Sequence, residues 1–143
     1  MDGVSPWLAA GGPVLAGMRL IDRLTGEGSR VVKATAHGIQ HLEWERGHGR
    51  RTFAMADAIR LLDVDDTDGP TIGAMLAEVQ ATYPYLIVWV ERALDANCND
   101  RGGYALSWIP NPGAALPATF ALPPMHMRPS VVELLAAAWK ARP

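Results

Sequence analysis

Few side chains in this sequence could do chemistry, and each can be checked against the spacing that its chemistry demands. His37 and His41 stand four residues apart. On a helix that spacing would aim both imidazoles at one ion. The segment reads instead as a turn and a strand, where four residues span ~13 Å, too far for a shared metal. Gln40 and Glu43 beside them add at best one carboxylate, so neither a metal site nor a cofactor is expected. Cys98 lies in Ala96-Asn97-Cys98-Asn99-Asp100-Arg101-Gly102-Gly103, a loop open enough for a thiolate nucleophile with a histidine as its base. No catalytic motif surrounds it, which favours a bystander loop cysteine. Asp57 and Asp63 are the other carboxylates on which a small enzyme would rest.

Phosphate cradles are missing. Gly26-Glu27-Gly28 lacks the third glycine and the helix that should follow it, and there is no Walker pattern. The run Asp63-Val64-Asp65-Asp66-Thr67-Asp68-Gly69-Pro70 invites a calcium reading. Placing Gly69 sixth in an EF-hand loop puts Val64 first and Met75 twelfth, and neither can be a ligand. The run is therefore expected to be a solvated acidic linker. Positive charge is concentrated at one turn, where Arg46, His48, Arg50 and Arg51 could contact phosphates as point and fork donors. Glu43 and Glu45 beside it favour a merely solubilising turn.

The elements that must position these groups begin with a meander. Met18 to Leu24 reads as a strand, and Leu24-Thr25-Gly26-Glu27-Gly28 as a turn with the glycines that positive dihedrals require. Val31–Ala36 and Ile39–Glu45 are strands about a tight turn at His37-Gly38. Period two then places Gln40, Leu42 and Trp44 on one face, and His41, Glu43 and Glu45 on the other. Thr52-Phe53-Ala54-Met55 follows the arginine turn with Phe53 as its inward anchor, and 56–62 closes as a helical turn. From Gly17 to Leu62 this strand rhythm and glycine placement resemble an SH3-like small barrel of the KOW or Tudor kind. Such modules bind proteins, nucleic acid or modified side chains, so the resemblance names no ligand.

Beyond the acidic run, Thr71 is expected to cap a helix carrying Ile72, Met75, Leu76 and Val79 on one stripe. Tyr85 to Glu91 reads as a strand buried on both faces, with a helix over 84–95 as the alternative. Tyr104 to Ile109 should pair back on it as a hairpin, with Tyr104, Leu106 and Trp108 on one face. Six prolines between Pro110 and Pro129 rule out regular structure over most of that length. Leu116, Phe120, Leu122, Met125 and Met127 would be the loop's apolar feet, and Ser130 to Arg142 an amphipathic helix. Trp7 in the Gly/Pro-flanked leader is expected to plug back onto the body.

At 143 residues, 49% hydrophobic and 20% charged, the chain has the size and composition of one compact domain over 1–143, with sub-lobes 13–63 and 71–143 joined by 63–70. A net charge of −2 argues against blanketing nucleic acid, and a lone cysteine removes any need for an oxidising compartment. The leader is neither a signal peptide nor a spanning helix, so a soluble, cytoplasmic protein without membrane contact is expected. The fold class is α+β: an antiparallel β-meander or small SH3-like barrel packed with a helix–β-hairpin–helix lobe. The expected function is a non-enzymatic adaptor with a protein partner, for which Tyr104 and Trp108 offer an aromatic contact surface. A nucleic-acid-binding module using Arg46, His48, Arg50 and Arg51 comes second, and a small enzyme built on Cys98 third.

Overall fold

The computed structural model describes residues 4–47, 52–94 and 96–143, with the backbone alone at Asp100 and Arg101. It is an α+β chain that divides into two compact units, Met1–Ala74 and Met75–Pro143.

In the first unit, short helix α1 (Pro6–Ala9) precedes strands β1 (Arg19–Asp22), β2 (Gly28–Thr35), β3 (Gly38–Trp44) and β4 (Phe53–Ala54), then helix α2 (Met55–Leu61) and strand β5 (Leu62–Val64). The five strands form one curled antiparallel sheet, a half-barrel, in the order β4-β3-β2-β1-β5. The β1–β2 turn closes as expected: Asp22 Oδ1 accepts from the amides of Leu24 at 2.8 Å and Thr25 at 3.2 Å, and Gly26 takes a φ of 74°. Leu42, Trp44 and Phe53 are buried, as their spacing predicts. Gln40 is not on their side. Register shifts on either side of Lys33 break the two-residue period, so Ile39 and Leu42 are both inward and Gln40 is exposed.

Trp7 is fully buried, with its indole Nε1 donating to the Pro13 carbonyl at 3.0 Å. Gly12 lies against the ring where any Cβ would collide. Sequence reasoning missed β5, which pairs antiparallel with β1. The acidic run is not a solvated stretch either, because its first residues belong to that strand. Asp65 is only 7% exposed, and Asp68 caps helix α3 (Gly69–Thr82) by accepting from the Thr71 amide at 3.2 Å and hydroxyl at 2.6 Å. Asp68 rather than Thr71 is thus the cap, and Pro70 sits harmlessly in the first turn, where no intrahelical donor is needed. While donating to Asp68, Thr71 Oγ1 also accepts from the Arg19 amide at 2.7 Å.

The division between units falls inside α3, whose remainder opens the second unit. There β6 (Leu86–Leu94) and β7 (Asp100–Pro110) form an antiparallel hairpin, followed by a long Pro-bearing loop and helix α4 (Val131–Lys140). Residues 86–94 are therefore strand. Gln80 of α3 acts as a neighbour to the β6 edge: its side chain donates to the Leu86 carbonyl at 2.6 Å and accepts from the Val88 amide at 2.9 Å. Tyr83 is fully buried and donates its hydroxyl to the Ala138 carbonyl of α4 at 3.1 Å. Ser130 caps α4 by accepting from the Glu133 amide at 3.2 Å.

Candidate functional site

The basic turn is only partly described. His48, Arg50 and Arg51 lie outside the described residues. Arg46 is exposed, and its backbone amide donates to Glu27 Oε1 at 2.8 Å, which fixes the start of the turn. Other arginines of the half-barrel are already engaged by carboxylates. Arg19 donates to Glu45 at 2.8 Å and to Asp65 at 2.5 Å, Arg23 to Asp63 at 2.8 Å, and Arg30 to both oxygens of Asp68 at 2.6 and 3.2 Å. These pairs tie the acidic run to β1 and β2. Arg30 lowers the Asp68 carboxyl, with partial burial opposing it and Thr71 assisting. At Asp65 burial is the largest influence and pushes upward, yet the bonds from Thr67 and Arg19 together bring its pKa below the ordinary value.

The two candidate carboxylates are each held by a different arginine. Asp57 on α2 pairs with Arg60 at 3.1 Å, whereas Asp63 on β5 pairs with Arg23. Cys98 is exposed at the hairpin tip with a φ of 62°, a left-handed conformation uncommon outside glycine. Among the described residues no group of three or more His, Cys, Asp or Glu could hold a metal ion. His37 is in the β2–β3 turn and His41 on β3.

The hairpin gives the most informative surface. Its register pairs Val88 with Trp108, Val90 with Leu106 and Arg92 with Tyr104, and directly opposed residues share a face. Leu86, Val88 and Leu106 on that face are buried. Tyr104 and Trp108 thus stand half-buried on the packed side and not on an open aromatic surface. Tyr104 has structural partners. Its amide and carbonyl bridge Arg128 at 2.8 and 2.9 Å, and the Arg92 guanidinium lies 5.6 Å from its ring centre. Gly103 permits this close approach, since a Cβ there would stand 2.8 Å from the Arg128 carbonyl oxygen.

The opposite face carries Ile87 paired with Ile109, Trp89 with Ser107, and Glu91 with Ala105. It is not buried: Ile87 is 39% and Ile109 48% exposed, so β6 has one packed face where sequence reasoning expected two. Next to the isoleucines, the Trp89 indole donates to Glu91 at 2.7 Å. That bond, then one from Ser107, hold the Glu91 carboxyl below its usual range. The face therefore has an apolar end and a satisfied polar middle. At the apolar end the loop is anchored by Phe120, edge-on to Tyr85 at 5.4 Å, and by the Tyr85 hydroxyl donating to the Ala121 carbonyl at 2.7 Å. Pro123 is buried, but Leu116, Leu122, Met125 and Met127 are exposed instead of serving as feet. The β6 alternation could have revealed the isoleucine face, had Tyr104 and Trp108 not been assigned outward.

No helix among the described residues is long and apolar enough to cross a membrane. In comparisons with family models, curated proteins and solved structures, the chain matches none of them.

Proposed function

We propose that this chain is a small non-enzymatic binding protein, an adaptor, that works by contact with a protein partner. The observation that carries this is the directly opposed pair Ile87 and Ile109, left exposed on the outward face of a two-stranded hairpin. Large aliphatic side chains side by side in water gain by being covered, and a partner with its own apolar centre and polar rim suits a face whose middle is the bonded Trp89–Glu91 pair. Exposed Leu116, Leu122 and Met125 in the adjoining loop add to the apolar surface of this unit. Residues 17–62 are read as an SH3-like module. This rests on the antiparallel order β4-β3-β2-β1-β5, with α2 between the last two strands in sequence.

The test is native mass spectrometry of the protein purified from its own source at low and high salt, alongside the double variant Ile87→Asp, Ile109→Asp. A protein bound at fixed stoichiometry, retained in salt and lost in a variant that still folds, is the expected result. A partner that ignores the double variant, or a bare monomer from the unaltered chain, overturns the assignment. Bound nucleic acid that is shed with salt and with Arg50→Ala plus Arg51→Ala would instead establish the basic turn as the binding element.

A further inference from the structure

We draw no further inference here: the strongest candidate, the outward face of the β6–β7 hairpin around Ile87 and Ile109, belongs to the surface already assigned to a protein partner, and nothing in the structure shows what covers it.

Discussion

Two aspartates show why burial, and not charge alone, sets the worth of an ion pair. Asp65 is nearly buried and accepts from Arg19 at 2.5 Å, from the Thr67 amide at 3.0 Å and from the Thr67 hydroxyl at 2.6 Å. Asp57 and Arg60 pair at 3.1 Å with both side chains mostly in water. Asp65→Ala removes three hydrogen bonds to a buried carboxylate while Arg19 keeps Glu45, and should cost about 2 kcal/mol in urea unfolding. Asp57→Ala should change stability by less than about 0.5 kcal/mol. Equal losses would mean that solvent screens both pairs alike. At this scale the inward anchors were legible: Leu42 and Trp44 are large apolar side chains between polar neighbours, and Phe53 and Trp7 are the large aromatic side chains of their own short segments. Tyr104 and Trp108 were not, because a two-residue period groups side chains by face without saying which face is covered. That choice depends on what the rest of the unit brings against the strand.

Among the elements, the hairpin depends on two contacts from outside its own ladder. Gln80 satisfies the Leu86 carbonyl and the Val88 amide. Gln80→Ala leaves both without that partner, at about 2 kcal/mol. Hydrogen exchange at the Val88 amide should accelerate in this variant, whereas Gln80→Glu keeps an acceptor and should keep Val88 protected. Unchanged exchange in Gln80→Ala would show that the contact does not hold the edge. On the other strand, Gly103→Ala forces a methyl group against the Arg128 carbonyl and Met127, and should cost about 1–3 kcal/mol with lost protection at the Tyr104 and Arg128 amides. Gly113→Ala, where the nearest atom is Asn111 Oδ1 at 3.4 Å, should be close to neutral. Most of these elements were legible from period and turn residues, including the hairpin and the closing helix. Strand β5 was not: it follows α2 directly, with no glycine or proline to mark the change, and its Asp63 opens the acidic run that mimics a linker. Asp68 was overlooked as a cap for the same reason, since in an acidic run one carboxylate looks like the next.

For the molecule as a whole, the two units differ in how they should meet acid. The pairs of Arg19, Arg23 and Arg30 all belong to Met1–Ala74. Asp65 and Asp68 have folded-state pKa values below the ordinary 3.8, so their stabilisation is complete above that value and is lost as pH falls through the lower folded ones. Stability of the first unit should be nearly flat from about pH 7 to 5 and decline below about 4. Amide exchange followed down this range should show the half-barrel loosening before the hairpin unit, and Asp68→Asn should blunt the decline. A hairpin unit that opens first would locate the acid-sensitive contacts elsewhere. Gln80 has a further consequence once many copies of the chain share a solution. An uncovered strand border is a template on which a neighbouring molecule can add its own strand, and the border from Leu86 to Val90 is apolar, with β-branched Ile87, Val88 and Val90. With its one side-chain amide, Gln80 already occupies the Leu86 carbonyl and the Val88 amide of that border, so a strand added there would first have to displace it.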